Sequence, residues 1–297
     1  MTPAWQDVPE RSNLFWLNTI TWIALRMGRW VADALLYPIT AYFVLFSDRT
    51  RTDSLHFMRR ALGRDCGWLD VFHHYHTFAR TLVDRIYTFG GQHQGLDIRA
   101  HGVEILERHS QSGRGCLLVS AHLGGFELIR AIGRERHGIR VKALIDGDST
   151  PRISSLFRRL NPALFDDFIY MGNPNALIGL DEHTRQGGLV AILGDRSVPG
   201  DKRLRCRFFG EPAWFPEAPV MLARILKVPL VMFVCLNQGN GRYEVSFEEL
   251  ADTPEAPRNQ RAEETRVIMQ RFADRLEHYA RLSPRNWFNF YDFWQDP

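Results

Sequence analysis

The chain has 297 residues, of which 45% are hydrophobic and 24% charged, and its formal net charge at neutral pH is +3. This length and composition are ordinary for a folded globular protein and exclude a disordered one. The small net charge gives no support to nucleic-acid binding, so no nucleic-acid partner is expected. The cysteines are scattered without a CxxC pair, which favours a reducing compartment and no disulfide framework: Cys66, Cys116, Cys206 and Cys235.

Two uncharged and largely apolar runs, residues 12–25 and 34–47, lie near the start of the sequence. Each is shorter than the roughly 20 residues that a membrane-spanning helix needs. Their tryptophan and tyrosine rings favour the headgroup region of a bilayer. We therefore predict that residues 1–48 form a membrane-associating helical segment that lies in one leaflet. A buried N-terminal hairpin packed on the domain is the alternative. No cleavable signal peptide is recognised, so we expect the protein on the cytoplasmic side.

A charged turn is expected at residues 47–51, before a long amphipathic helix at residues 68–89, where large apolar residues recur at helical spacing. This helix also contains His73, His74 and His76. Adjacent residues on a helix point about 100° apart, and no Cys, Asp or Glu completes a ligand set at familiar spacing. We therefore predict no metal site.

From residue 98 onward, short apolar runs alternate with helical patterns. Strands separated by helices indicate βαβ crossovers, so the fold class is α/β, with a mostly parallel central sheet flanked by helices in one domain of residues 49–297. The predicted strands are 116–120, 141–145, 168–171, 189–193, 230–236 and an edge strand at 243–247. The predicted helices are 126–132, 152–160, 175–184, 217–226 and 261–282.

One stretch of this alternating pattern carries the strongest chemical signal. The sequence from Cys116 to Glu127 predicts a buried strand, a tight turn and a helix start, which places His122 at the carboxyl edge of the sheet. His122 would accept a proton from a hydroxyl, and Glu127 would orient its ring. The backbone N–H groups of Gly124 and Gly125 would meet developing negative charge. A purely structural histidine at a strand end is the alternative.

Two arginine clusters are candidate anion sites. If residues 203–208 form a strand, Arg203, Arg205 and Arg207 share one face, and a bound anion would relieve their repulsion. An acidic carrier protein, a phosphorylated lipid head group or the phosphates of coenzyme A would supply that anion. The alternative is a solvated edge strand whose arginines discourage pairing with another strand. The second cluster, on the helix at 152–160, is a candidate contact for a carrier protein: Arg152, Arg158 and Arg159.

The block Gly115-Cys-Leu-Leu-Val-Ser-Ala-His122-Leu-Gly-Gly-Phe-Glu127 resembles the H-x4-D/E block of glycerolipid acyltransferases, and in particular that of the lipid A biosynthesis (late, secondary) acyltransferase family. Four later stretches follow the order of the later blocks of that family: Leu193-Gly-Asp-Arg196, Phe208-Phe-Gly-Glu-Pro212, Pro219-Val-Met-Leu-Ala-Arg224 and Val228-Pro-Leu-Val231. The similarity covers most of the chain.

The sequence also departs from the pattern of that family. Gly125-Phe126 precedes the glutamate where lipid A enzymes commonly have Asn-Trp before the acidic residue, and Asp195-Arg196 replaces the usual Asp-Gln. The aromatic ending of residues 286–294 is unlike the basic tail typical of the family, and we expect it to pack on the core rather than enter lipid. The resemblance therefore points to a side branch of the family, in which the reaction is expected to be kept and the acceptor is left open.

The resemblance implies transfer of a fatty acyl group from an acyl-carrier-protein or coenzyme A thioester to a hydroxyl or amine of a membrane lipid. It implies no further cofactor and a location on the cytoplasmic face of the bacterial inner membrane. His122 would be the base and Glu127 its polarising partner, while Asp195 and Arg196 would form a second wall that binds substrate or stabilises the oxyanion. Two rivals are a non-catalytic lipid-binding or scaffold protein, which retention of His122 and Glu127 disfavours, and a lipid-ester hydrolase, which the absence of G-x-S-x-G disfavours.

Overall fold

The computed structural model describes residues 14–90, 96–129, 140–145, 151–162, 167–170, 176–197 and 200–295. Its helices are α1 (Leu14–Met27), α2 (Arg29–Phe46), α3 (Asp48–Leu62), α4 (Trp68–Phe89), α5 (Val103–Gln111), α6 (Pro151–Leu160), α7 (Ala176–Arg185), α8 (Ala218–Leu226) and α9 (Arg261–Leu282). Its strands are β1 (Asp97–His101), β2 (Cys116–Ser120), β3 (Val141–Ile145), β4 (Phe168–Tyr170), β5 (Leu189–Leu193), β6 (Arg203–Phe208), β7 (Glu211–Pro216), β8 (Leu230–Gly239) and β9 (Arg242–Ala251).

Seven of these strands form one sheet in the order β1-β9-β8-β2-β5-β3-β4. Neighbouring strands are parallel except for β8 and β9, which form an antiparallel hairpin. Strands β6 and β7 form a separate antiparallel ribbon. A mostly parallel sheet connected through helices is an α/β fold, and the predicted fold class is confirmed.

Strand β2 lies at the centre of the sheet and is buried along its whole length. Leu117 and Val119 belong to the core on one face of the sheet, and Cys116 and Leu118 belong to the core on the other. A strand covered on both faces needs a continuous apolar run instead of an alternating one, which is what this sequence supplies. The loop that follows Ser120 is therefore anchored on a rigid support.

The N-terminal helices α1 and α2 pack against α4. Arg29, at the start of α2, forms an ion pair with the buried carboxylate of Asp84 in α4, and the hydroxyl of Tyr87 donates to the carbonyl of Ala24 at 2.9 Å. Seven large apolar side chains of α1 and α2 are nevertheless more than half exposed. They are Trp22, Met27, Trp30, Tyr37, Tyr42, Leu45 and Phe46.

Within the described residues, no single helix has both the length and the apolar character to cross a membrane. Helices α2 and α3, which meet at an angle of 98°, satisfy that test only when they are taken together. The charged stretch at residues 47–51 was expected to be a turn, but helix α3 begins within it at Asp48. Asp48 lies in the first turn of α3, where a carboxylate is electrostatically favourable.

Several predicted elements differ from the structure in their limits. Strand β7 was not predicted because it contains Pro212 and Pro216, and it tolerates them because β6 is its one partner in a two-stranded ribbon. Strand β1 was also not predicted, and β9 is longer than expected. The predicted helix at 126–132 is described as far as residue 129, where a turn at 126–127 leads into helical residues 128–129; the rest lies outside the described part. The predicted ends at Met171 and Asn175 also lie outside it.

The aromatic C-terminal segment packs on the core, as expected from its sequence. Trp287 and Phe288 are buried, as are Tyr291 and Phe293. The ring of Trp287 meets that of Phe208 at the end of β6 with centroids 5.3 Å apart. This packing brings the end of the described chain to the carboxyl edge of the central sheet.

Candidate active site

The two residues at the centre of the site follow neighbouring strands. Strands β2 and β5 run parallel, with Ser120 paired to Leu193 at their carboxyl ends. His122 lies two residues beyond Ser120, and Asp195 lies two residues beyond Leu193. Residues at equal distances past the ends of paired parallel strands emerge side by side at the same sheet edge. The register of the sheet therefore brings His122 and Asp195 together.

Both carboxylate oxygens of Asp195 contact His122. Oδ1 lies 2.9 Å from ring nitrogen Nδ1, and Oδ2 accepts the main-chain N–H of His122 at 3.0 Å. Burial acts to raise the pKa of Asp195, but the adjacent His122, and after it Arg196, outweigh burial and lower the pKa to about 2. Asp195 is therefore ionised across the physiological pH range.

The ionised carboxylate determines the tautomer of His122. A carboxylate only accepts hydrogen bonds, so Nδ1 carries the proton and Nε2 is left with a lone pair. Burial lowers the pKa of His122 below its ordinary value of 6.5, and the positive charge of Arg196 lowers it further, while Asp195 opposes both. A neutral imidazole with an oriented ring is a suitable general base.

Glu127 was expected to orient this ring, and the structure differs at that point. Nδ1 of His122 bonds Asp195, whereas the carboxylate of Glu127 forms an ion pair with Arg85 of helix α4. Both members of the pair are largely buried, with side-chain exposures of 17% for Arg85 and 13% for Glu127. Glu127 lies in a turn before helical residues 128–129, and from there its side chain reaches α4. This contact was not predicted. A signal was present, since Asp84 and Arg85 are adjacent charges within the apolar end of α4.

The main-chain N–H groups of Gly124 and Gly125 were predicted to stabilise an oxyanion, but both donate to carbonyls of the protein. Gly124 donates to Asn286 and Gly125 donates to Cys235, each at 2.8 Å. Gly124 has φ of +68°, and a Cβ atom there would lie 1.9 Å from the carbonyl oxygen of Cys235. Gly124 therefore lets the loop run against the backbone of β8, and the main-chain N–H groups of both glycines are used within the fold, which corrects the prediction.

The second wall predicted at Asp195 and Arg196 lies beside His122, but its two members have different roles. An ionised Asp195 is an acceptor and does not donate to an oxyanion. Arg196 donates from Nη2 to the carbonyl of Phe288 at 3.0 Å, and its guanidinium lies 5.4 Å from the centre of the Tyr291 ring. Its positive charge acts on His122, so Arg196 remains the candidate for stabilising negative charge.

Phe126, at the position where the sequence departs from the family pattern, contacts the base directly. Its ring packs edge to face against the imidazole of His122, with centroids 5.8 Å apart. Gly125 precedes it in a tight place, since a Cβ atom there would lie 2.8 Å from Leu128. The aromatic ring of Phe126 therefore forms part of the surroundings of the base.

The C-terminal segment also belongs to the site, and sequence reasoning missed it. Phe288 donates its main-chain N–H to the carbonyl of His122 at 2.8 Å, and the Nε1–H group of Trp287 points to Oδ2 of Asp195 at 3.4 Å. Trp287 follows Asp195 by 92 residues in the sequence. No local pattern reports a contact over that separation.

The arginines of residues 203–207 lie on strand β6, as the alternating pattern predicted. Cys206 and Phe208 face the core, while Arg205 and Arg207 are exposed. The guanidinium groups of Arg203 and Arg205 lie over the ring of Trp214 in β7, at 5.6 and 4.7 Å from its centre. The anion-binding role of this face stays a prediction.

The second basic cluster lies on helix α6. Arg159 donates to the side chain of Asn18 in α1 at 2.7 Å, and Arg158 donates to the hydroxyl of Tyr170 in β4 at 3.2 Å. The side chain of Arg152 lies outside the described part of the structure. Among the histidines of α4, His74 has a structural role, because it is buried between Ser54 and the carbonyl of Trp287. Among the described residues, no group of three or more His, Cys, Asp or Glu side chains is placed to hold a metal ion.

The chain is similar to one known protein family over nearly its whole length. The model of the family described as bacterial lipid A biosynthesis acyltransferase matches residues 7–296. No curated protein matches the chain. The matched region contains every residue of the site described above.

Proposed function

This chain belongs to the bacterial lipid A biosynthesis acyltransferase family and is a lipid acyltransferase; from that premise we propose that it moves a fatty acyl group from a thioester to a hydroxyl or amine of a membrane lipid. The observation that carries the proposal is the contact between ionised Asp195 and Nδ1 of His122 at 2.9 Å. This contact keeps the proton on Nδ1, so Nε2 is available as the base that removes a proton from the acceptor as the acceptor attacks a carbonyl. A non-catalytic lipid-binding protein would have no need of this pair.

The reaction requires one proton to move twice. Nε2 of His122 takes the proton of the acceptor hydroxyl while the oxygen attacks the thioester carbonyl and a C–O bond forms. The tetrahedral oxyanion then collapses, the C–S bond breaks, and His122 gives the proton that it took from the acceptor to the leaving thiolate. Asp195 stabilises the imidazolium between these two steps, and Arg196 is the candidate that stabilises the oxyanion electrostatically.

The donor is proposed to be an acyl-carrier-protein or a coenzyme A thioester. Both carry a phosphate, and an acidic carrier protein adds carboxylates. The face of β6 and β7 that presents Arg203, Arg205 and Arg207 with Trp214 offers planar cations to such groups. Arg158 and Arg159 on α6 are a second candidate contact for the carrier.

The acceptor is proposed to come from the bilayer at the cytoplasmic face of the bacterial inner membrane. The support is the exposure of large aromatic side chains on α1 and α2, of which Trp22 is 60% and Trp30 is 76% exposed. Tryptophan and tyrosine side chains are favoured at the level of the lipid headgroups. A protein held there would take its acceptor from the bilayer and its thioester from the aqueous side.

A transfer assay with His122→Ala tests the proposed function. Purified protein is incubated with palmitoyl-coenzyme A or palmitoyl-acyl-carrier-protein and a total bacterial lipid extract, and acylated lipids are measured by mass spectrometry. Loss of a general base costs about 10²–10⁴-fold, so the variant should form almost no product. His101→Ala, which removes an exposed histidine at the end of β1, serves as the control. Undiminished transfer by a folded His122→Ala protein would contradict the mechanism.

A further inference from the structure

We propose that Trp287 is a positioning residue of the active site, which fixes the Asp195 carboxylate relative to the loop that carries His122. This inference rests on the proposed role of the histidine as the base. It concerns a segment far from the His-x4-Glu block, in the part of the sequence that departs from the family pattern.

Trp287 and its two neighbours contact both halves of the site. The residue before it, Asn286, accepts the N–H of Gly124 at 2.8 Å, and the residue after it, Phe288, donates to the carbonyl of His122 at 2.8 Å. The side chain of Trp287 directs its indole N–H to Oδ2 of Asp195 at 3.4 Å. One short segment therefore contacts the loop after β2 through its main chain and the loop after β5 through its side chain.

The position of Trp287 is itself fixed by its surroundings. Its side chain is fully buried, and its ring packs edge to face on Phe57 with centroids 4.8 Å apart. Nε2 of His74 contacts the main-chain carbonyl of Trp287 at 2.8 Å. Burial lowers the pKa of His74 to about 4, so this histidine is neutral and donates Nε2–H while Nδ1 accepts from Ser54. The indole is held by groups outside the site.

These contacts give the Asp195 carboxylate three N–H neighbours. Oδ1 meets Nδ1 of His122, and Oδ2 meets the main-chain N–H of His122 and the indole of Trp287. A carboxylate with several fixed donors has little freedom to rotate away from the ring it orients. Catalysis depends on the placement of the base to within a fraction of an ångström. The indole N–H is the one donor among the three that does not come from His122 itself.

The chain offers a closely matched control for a test of this role. Trp294 belongs to the same aromatic cluster and donates its indole N–H to the carbonyl of Phe208 at 3.2 Å, away from the His122–Asp195 pair. Trp287→Phe and Trp294→Phe each keep an aromatic ring and each remove one indole N–H donor. Only the first removes a donor from Asp195.

The first readout is the titration of His122 followed by histidine ring NMR signals, which are assigned by comparison with His122→Gln. Loss of the indole donor concentrates the negative charge of Asp195 on His122. The titration midpoint should therefore rise by about 0.5 pH unit in Trp287→Phe. It should stay unchanged in Trp294→Phe. Equal midpoints in the two variants would overturn the inference.

The second readout is turnover with palmitoyl-coenzyme A and the total bacterial lipid extract. In Trp287→Phe we expect kcat to fall about threefold to tenfold with KM unchanged, since a single hydrogen bond is lost and no substrate contact is altered. An equal loss of kcat in Trp294→Phe would mean that Trp287 contributes only to packing, and would overturn the proposal.

The two readouts keep this inference separate from the proposed function. The NMR titration needs no substrate, so it tests the contact between Trp287 and Asp195 even if the acceptor is not in the extract. If His122→Ala keeps full transfer activity, the mechanism fails whatever the titration shows. If His122→Ala is inactive and Trp287→Phe has wild-type titration and turnover, the positioning role alone fails.

Discussion

Oδ1 of Asp195 lies 2.9 Å from Nδ1 of His122, and Oδ2 of the same carboxylate accepts the main-chain N–H of His122 at 3.0 Å. One side chain thus holds both the ring and the backbone of the candidate base. Because Asp195 is 2% exposed, water competes little for these bonds. The orientation and the tautomer of His122 therefore depend on an ionised carboxylate at position 195.

Asp195→Asn should abolish most of the acyl transfer. The substitution replaces one acceptor oxygen with an NH₂ group, so the side chain can no longer accept both N–H groups of His122. An NH₂ group that faces Nδ1 favours the tautomer with the proton on Nε2. The base needs the lone pair at Nε2, so this tautomer is inactive. In a serine hydrolase triad the equivalent change costs about 10⁴-fold in kcat, and we expect a loss of about 10²–10⁴-fold here. Steady-state transfer kinetics measure it.

Asp252→Asn is the control for that substitution, since Asp252 is an exposed aspartate paired with Arg114. Its turnover should match that of the wild type. If Asp195→Asn retained more than a tenth of wild-type kcat while remaining folded, Asp195 would not be the group that sets the tautomer.

The pH profile of kcat/KM should report the depressed pKa of His122. A base acts only when neutral, so activity should be full above this pKa and lost as the pH falls through it. Burial, and then the charge of Arg196, lower the pKa below 6.5, so the acid limb should have its midpoint below 6.5. Arg196→Gln removes the second cause and should move the limb to higher pH.

Arg285→Gln removes an exposed arginine beside the same C-terminal segment and serves as the comparison. It should leave the acid limb in place. A profile of Arg196→Gln that coincides with that of the wild type would show that the charge of Arg196 does not act on the base.

The fold was predictable because its signals are local. Strand β2 is a continuous apolar run, helix α4 has a helical repeat, and both have the limits that the sequence indicated. The alternation of such runs is enough to predict a parallel sheet. Strand β7 was missed because proline normally disfavours a strand, and its place in a ribbon became visible only with its partner β6.

The site was predictable only in part, for a physical reason. The sequence placed His122 and the loop of Asp195 at one sheet edge, since strand ends are recognised locally. The choice between the two carboxylates was not local, because it depends on the register of β2 with β5 and on Arg85 of α4, which pairs with Glu127. Reading the register from Ser120 and Leu193 would have identified Asp195. Nothing in the sequence near Trp287 indicates its partner.

Arg85→Met should destabilise the protein strongly. It removes the positive charge that pairs with the buried Glu127 carboxylate, and breaking one side of a buried ion pair costs about 3–5 kcal/mol. Removing both charges in Arg85→Met/Glu127→Gln should restore much of that loss, because no uncompensated charge then remains buried. Urea denaturation gives the free energy of unfolding for Arg85→Met, for Glu127→Gln and for the double variant.

The exposed pair of Arg266 and Glu263 in α9 provides the comparison for this cycle. Arg266→Met should leave the free energy of unfolding close to that of the wild type, because ion pairs on the surface contribute little. A loss in Arg85→Met no larger than that in Arg266→Met would mean that the ion pair with Glu127 contributes little to the fold.

Charge reversal on β6 tests the proposed donor contact. Arg203→Glu/Arg205→Glu removes both guanidinium groups that lie over Trp214 and presents carboxylates instead. If the phosphate or the acidic carrier binds there, KM for the acyl thioester should rise about tenfold or more, with a smaller effect on kcat. Comparing palmitoyl-coenzyme A with palmitoyl-acyl-carrier-protein shows which donor uses this face.

Arg185→Glu/Arg266→Glu makes the same change in net charge at exposed sites on α7 and α9. It should leave KM for both donors unchanged at physiological salt, where distant surface charges are screened. Equal effects of the two double variants would assign the result to net charge and not to the face of β6.

Replacement of the two most exposed tryptophans of the N-terminal hairpin should weaken membrane binding. Trp22 and Trp30 are 60% and 76% exposed, and each would bury apolar area at the lipid interface. We expect Trp22→Ser/Trp30→Ser to lower the partition coefficient onto phosphatidylethanolamine and phosphatidylglycerol vesicles about tenfold or more, from the apolar area that would leave the lipid. Leu177→Ser/Ile178→Ser removes two exposed apolar side chains of α7 and should bind as the wild type does. Cosedimentation measures both variants, and equal binding by the tryptophan variant and the wild type would exclude the hairpin as the membrane contact.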